Sequence, residues 1–148
     1  MVYVPNSTVA ETLPQDWSYV SEGGASIVFS YVGPSHSHFD GKVLRLRKTS
    51  LDPSHVDAQP DEDQIEDPMI DFQHNVVARL IPPNFLPRLE SIGVDRLWLQ
   101  DITTLHDQER PPGRREKDRI NLNRKNAILA SDLVGKESLV VEIKVCLH

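Results

Sequence analysis

Residues 17–48 read Trp17-Ser-Tyr-Val-Ser-Glu-Gly-Gly-Ala-Ser-Ile-Val-Phe-Ser-Tyr-Val32, then a turn-rich break, then Gly41-Lys-Val-Leu-Arg-Leu-Arg-Lys48. The pattern predicts strand, glycine turn, strand, loop, strand. Gly23 and Gly24 carry no Cβ, so the backbone there can take positive φ and a ligand can approach closely. Ser26 to Val32 is rich in β-branched and aromatic residues, as a strand should be. Asp40-Gly41 closes the loop, and Lys42 to Arg47 continues as the third strand. Successive side chains point to opposite faces, so Val43, Arg45 and Arg47 share one face while Leu44 and Leu46 share the other. A glycine turn followed by a strand presenting a cation can cover and neutralise a nucleotide's phosphates. Two glycines in a hairpin are more often an ordinary turn. These residues alone leave both readings open.

The chain's 148 residues suffice for one domain or one lobe of a larger enzyme, and 39% apolar with 26% charged residues is ordinary for a globular protein. Cys146 is the single cysteine, which excludes an internal disulfide and fits a reducing compartment, cytosol or nucleus. No run approaches a membrane span, and Met1 to Pro14 lacks the basic-then-apolar order of a signal peptide. The net charge of −6 is unevenly spread: residues 1–100 hold 14 acids against 7 Lys/Arg, residues 101–148 hold 8 against 9. Such an acidic balance speaks against a nucleic-acid binder, while the basic C-terminal third leaves room for a local anion site.

Residues 1–16 show no period and are expected to form a flexible arm. Residues 49–67 carry Asp52, Asp57, Asp61, Glu62, Asp63, Glu66 and Asp67 without Lys or Arg, interrupted by Pro53 and Pro60. They predict an acidic mobile loop, because so polar a segment buries too little apolar surface to order itself. Its irregular carboxylate spacing matches no cation loop, and His36 with His38 lacks a third ligand, so no metal site is expected. Asp67-Pro68 reads as an N-cap with proline at the first helical position. Met69, Phe72, Val76 and Leu80 then recur at helical spacing, widened by Ile70, Val77 and Ile81, up to Pro82-Pro83. This helix is expected to pack on the sheet beside Arg45. Leu97-Trp98-Leu99 suggests a short strand.

Residues 103–125 are predicted to form a basic loop, with Arg110, Arg114, Arg115, Lys117, Arg119, Arg124 and Lys125 crowded together and a turn forced by Pro111-Pro112-Gly113. The cluster fits a solvated loop. It fits anion capture too, since guanidinium forks bind phosphate oxygens bidentately. Asn126 to Ala130 reads as an apolar strand leading into Ser131-Asp132, and Ser138 to Lys144 as the last strand.

Glu22-Gly23-Gly24-Ala25-Ser26, Gly41-Lys42-Val43-Leu44-Arg45-Leu46-Arg47-Lys48 and Val141-Glu142-Ile143-Lys144 resemble, in the same order, the N-terminal part of the inositol-pentakisphosphate 2-kinase family. The resemblance runs from Trp17 to Lys144 across a poorly matching acidic middle. It implies an α+β fold, the N-terminal lobe of a kinase-like architecture, with a twisted, mainly antiparallel sheet and one packed helix. It further implies ATP-dependent phosphorylation of inositol 1,3,4,5,6-pentakisphosphate at position 2, giving inositol hexakisphosphate (phytate). By resemblance, Gly23, Gly24, Ala25, Ser26 and Val43 would meet the nucleotide, Arg45 its phosphates, and Ser131 with Asp132 the adenine at a hinge. Arg110-Pro111-Pro112-Gly113-Arg114 resembles the family's substrate-phosphate block, which makes Arg114 the substrate-binding candidate and Arg115 its rival. Lys144 would stand near the phosphoryl group in flight, where a compact ammonium offsets developing charge. The helix after the third strand often supplies a carboxylate partner in kinase-like folds, and Asp71 is within reach of that pattern.

The sequence departs from the family after Lys144. Val145-Cys146-Leu147-His148 stands where the family continues Pro-Lys and then Gly-Phe. The family's C-terminal lobe, with its magnesium-holding aspartates and Cys/His zinc site, has no counterpart. The resemblance therefore implies Mg2+ held by that lobe, and a truncated or wrongly spliced product that is inactive alone. Its expected partners are ATP and inositol pentakisphosphate, with no nucleic acid or membrane, for a monomer of the nucleus or cytoplasm. Two other readings stand beside it. One is the lobe of another small-molecule or protein kinase, against which Arg45 argues because such kinases usually carry lysine there. The other is a non-catalytic anion-binding module built on the Arg110 to Lys125 cluster.

Overall fold

The computed structural model describes residues 8–52, 70, 72–82, 84, 86 and 88–132. Trp17–Glu22 (β1), Ser26–Tyr31 (β2) and Lys42–Ser50 (β3) form an antiparallel meander, as the alternating apolar pattern predicts. Leu89–Gly93 (β4) and Asn126–Ser131 (β6) extend the sheet beyond β3 in the order β1-β2-β3-β6-β4, and Asp118–Ile120 (β5) pairs with the end of β3. All strand pairs among the described residues are antiparallel. The fold is thus the α+β, mainly antiparallel sheet expected.

The two faces of β3 meet two apolar clusters. Leu44 and Leu46 join Trp17, Ile27, Phe29, Ile92 and Leu129 in the main core. Val43, on the other face, joins Ile70, Ile128 and Ala130. Burying a side chain such as Leu44 or Phe29 contributes about 1.5–3 kcal/mol, so the central strand is held from both sides.

The helix that covers the main core is Arg96–His106 (α2), which includes the predicted strand Leu97-Trp98-Leu99. Asp95 caps it by accepting a hydrogen bond from the Trp98 N–H, at 2.9 Å. Trp98, Leu99 and Ile102 fall on one buried face, a spacing of one and four that a strand cannot satisfy. In the earlier helical segment, a wide π-type turn over Gln73–Val77 passes into Ala78–Leu80 (α1). Ile70 packs on the Val43 cluster, but Phe72, Val76 and Leu80 are exposed, so the expected stripe does not face the sheet. Asp71 lies outside the described residues.

Residues 8–16, expected as part of a loose arm, are docked. Val9 is fully buried, Thr8 bridges Gly93, and the Trp17 indole donates to the buried Thr12 hydroxyl at 2.8 Å. Residues 49 and 50, assigned to the acidic loop, continue β3, and 53–67 lie outside the described residues. The 103–125 segment is only partly a loop, since it contains the end of α2, a short helical turn Pro112–Arg115 (α3) and β5. No helix among the described residues is long and apolar enough to cross a membrane.

At Gly33 the backbone passes close to the Asp16 side chain. A Cβ there would stand 2.6 Å from the Asp16 Cβ, beside the 2.7 Å bond from the Val32 N–H to the Asp16 carbonyl. Gly33→Ala is therefore expected to destabilise the protein by about 1–3 kcal/mol, read as a lower denaturation midpoint with unchanged slope.

Candidate functional site

Gly23 and Gly24 form the turn between β1 and β2, closed by a 3.0 Å bond from the Gly23 N–H to the Ser26 carbonyl. Neither has positive φ; among the described residues only Gly41 does, at 68°. The lack of a side chain, rather than unusual backbone conformation, distinguishes the two. A Cβ built on either would meet nothing within 4 Å, so the space above the turn stays open. Ala25 is exposed, its carbonyl accepts from the Lys48 N–H at 2.9 Å, and Ser26 pairs with Arg47. The turn is therefore anchored to the end of β3.

Arg45 lies on the second face, between Val28 of β2 and Ile128 of β6. Its Nε is buried without a hydrogen-bond partner. Val43 is buried two residues earlier in the Ile70, Ile128 and Ala130 cluster. At the far end of β3, Ser131 pairs with Lys42, and both hinge candidates are engaged: the Ser131 N–H donates to the Arg88 carbonyl and the Asp132 N–H to the Gly41 carbonyl. The Ser30 hydroxyl donates to the Asp132 carboxylate at 3.4 Å. From Val43 to Arg47 the strand rises roughly 13 Å, so the glycine turn and Ser131 mark opposite ends of one face.

The basic cluster divides. The Arg114 guanidinium donates to the Gly23 carbonyl at 3.2 Å, which brings the substrate-binding candidate onto the glycine turn 91 residues away. Arg115 is half-buried and its Nε lacks a partner. Arg119 and Lys117 are exposed. A cavity of about 480 Å³ opens between the turn, the end of β3 and the 117–118 corner, lined by Gly24, Ala25, Arg47, Lys48, Lys117 and Asp118 among others.

Arg110 is the buried residue of this cluster. Its Nε and Nη2 donate to the two Glu22 oxygens at 2.8 and 3.1 Å, and Nη2 also reaches the Asp118 carboxylate at 2.7 Å. Lys48 joins this quartet, 3.4 Å from Glu22 and 3.1 Å from Asp118, with its side chain 1% exposed. Burial pushes the Glu22 carboxyl up, but the Arg110 guanidinium and the Lys48 ammonium outweigh it and hold the group below its usual range. The hydrogen bonds to Glu22 push the Arg110 guanidinium up against the opposing effect of burial.

A β-bulge produces this arrangement. Tyr19 stands opposite Phe29 but Ser21 opposite Val28, so one residue of β1 is left over near Val20. Beyond it the alternation inverts, and Glu22 falls opposite the core residue Ile27 instead of pointing to the other face. By alternation along β3, Lys48 shares the face of Leu44 and Leu46. Its pairing with Glu22 and Asp118 had no signal in sequence spacing.

Lys144 and the segment 133–148 lie outside the described residues. Among the described residues no group of three or more His, Cys, Asp or Glu converges as a metal site.

A family model described as inositol-pentakisphosphate 2-kinase matches residues 19–145. Two curated relatives carrying that name, from two serotype D strains of Cryptococcus neoformans var. neoformans, are each 31% identical to this chain over 146 residues. The match covers 95% of this chain and 34% of each relative, so the chain spans about a third of their length.

Proposed function

The chain belongs to the inositol-pentakisphosphate 2-kinase family, and on that premise we propose that it forms the lobe that covers ATP during phosphorylation of inositol pentakisphosphate at position 2. The observation that carries this reading is the contact between Arg114 and the Gly23 carbonyl, beside a turn with open space where side chains would stand. Phosphates need donors that approach closely and cations that neutralise them. The turn's free space offers the first. The unpartnered Nε of Arg45, on the face that runs toward the turn, offers the second.

The residues present therefore fit a nucleotide lying along the second face of β3. Its adenine would lie toward Val43 and the Ser131–Asp132 end. Its phosphates would lie toward Arg45 and the segment Gly23 to Ser26. ATP, accompanied by Mg2+, supplies the phosphoryl group and the charge compensation for its transfer. Arg114, at the outer edge of the turn, would hold a substrate phosphate, with Arg115 next to it. Lys144 is proposed near the transferred group on resemblance alone.

Gly24→Val tests the nucleotide half. The new side chain enters space that no protein atom fills, so folding should survive while ATP binding weakens by about tenfold or more, roughly 1.4 kcal/mol. Unchanged affinity by calorimetry would remove the turn from the site. Arg114→Ala tests the other half. It should weaken inositol pentakisphosphate binding by more than about tenfold, the roughly 1.5–3 kcal/mol of a charge-assisted bond, and change ATP affinity much less. A loss in Arg115→Ala instead would shift the assignment by one residue.

A further inference from the structure

We propose that the buried Glu22–Arg110 pair is a positioning element that locks the glycine turn and Arg114 into one mechanical unit, so that the two ends of the site proposed above move together. The covalent neighbours supply the lever: Glu22 precedes Gly23, and Arg110 opens the turn that carries Arg114. Glu22 and Arg110 share two parallel hydrogen bonds, at 2.8 and 3.1 Å, a fork-to-carboxylate geometry that fixes direction as well as distance. Arg110 also donates to the Asp118 backbone carbonyl at 3.0 Å and reaches the Arg114 carbonyl at 3.5 Å, so it holds both sides of the turn Pro112–Arg115. Arg114 closes the circuit by donating to the Gly23 carbonyl. A displacement of either segment must break or drag the same pair. The Glu22 and Arg110 side chains are 2% and 6% exposed, so little water competes for these bonds.

A buried ion pair is poor evidence of stability, because desolvation offsets its attraction. Its retention is better explained by geometry. Lysine at 110 would keep the charge and the aliphatic stem but lose the fork, which separates positioning from charge.

Amide hydrogen exchange of the full chain, in the absence of nucleotide, tests the coupling. In Arg110→Lys, exchange at Gly23 and at Arg114 and Arg115 should rise together by about fivefold or more, with the β4–β6 amides unchanged. Leu99→Ala, which removes a core side chain of α2 that makes none of the pair's hydrogen bonds, should lower the melting temperature without this paired rise. A rise on one side only, or the same paired rise in Leu99→Ala, overturns the proposal. Calorimetry with ATP then separates the two readings. If the parent chain binds ATP, Arg110→Lys should weaken it by about threefold or more, and an unchanged affinity with paired exchange would show that the unit does not position the nucleotide. If the parent chain does not bind ATP but the paired rise is seen, the nucleotide reading fails and the mechanical coupling stands.

Discussion

Replacing Arg110 with alanine should lower the free energy of unfolding by about 3–5 kcal/mol, the cost of leaving a buried charge without its partner. Glu22 would keep the Lys48 ammonium and the Tyr19 hydroxyl, each at 3.4 Å, and Asp118 would lose its 2.7 Å contact. For a chain of this size the loss corresponds to a drop of about 10–20 °C in melting temperature. Arg119→Ala, at an exposed position of the same basic segment, should change stability by no more than about 0.5 kcal/mol. Equal small effects from both would mean that water reaches the quartet. The same network sets an acid limit. Because the Glu22 carboxyl is held below its usual range, its contribution is fully present above the ordinary glutamate value near pH 4.3 and is lost as pH falls through the lower native value. Stability measured by denaturant titration should therefore fall on acidification in the parent chain, and less steeply in Glu22→Gln.

Replacing Arg45 with alanine should weaken ATP binding by about ten- to a hundredfold, the loss of one charge-assisted bond of roughly 1.5–3 kcal/mol. Stability should change little, since the Arg45 Nε has no hydrogen-bond partner in the fold that its removal would orphan. Arg47, two residues on and on the same face, already interacts within the protein, so Arg47→Ala should weaken the nucleotide less. Calorimetry of both variants decides it. Equal, small losses would mean that neither arginine meets the phosphates. A large loss confined to Arg47→Ala would move the phosphates toward the cavity beside Lys48 and Lys117.

Where the physics is local, the fold can be read from neighbouring residues. The β1-β2-β3 meander, its glycine turn and the apolar strand at 126–131 follow from period-two alternation and turn chemistry over a few neighbours. The family, too, was legible, because its blocks are contiguous stretches. Local patterns failed where a segment's partner lay elsewhere. Leu97-Trp98-Leu99 looks like a strand until Asp95 caps the turn and Ile102 falls on the same buried face. Phe72, Val76 and Leu80 have helical spacing, yet spacing alone cannot say whether a surface exists to bury them. Arg110 looked like one more cation in a solvated run. Tertiary structure alone decided otherwise, because its carboxylate lies 88 residues away on a strand whose face is set by a bulge near Val20. Register is a property of two strands read together. One leftover residue turned Glu22 inward, and low dielectric with excluded water made that single pairing decisive for Arg110, Lys48 and the turn that Arg114 now touches.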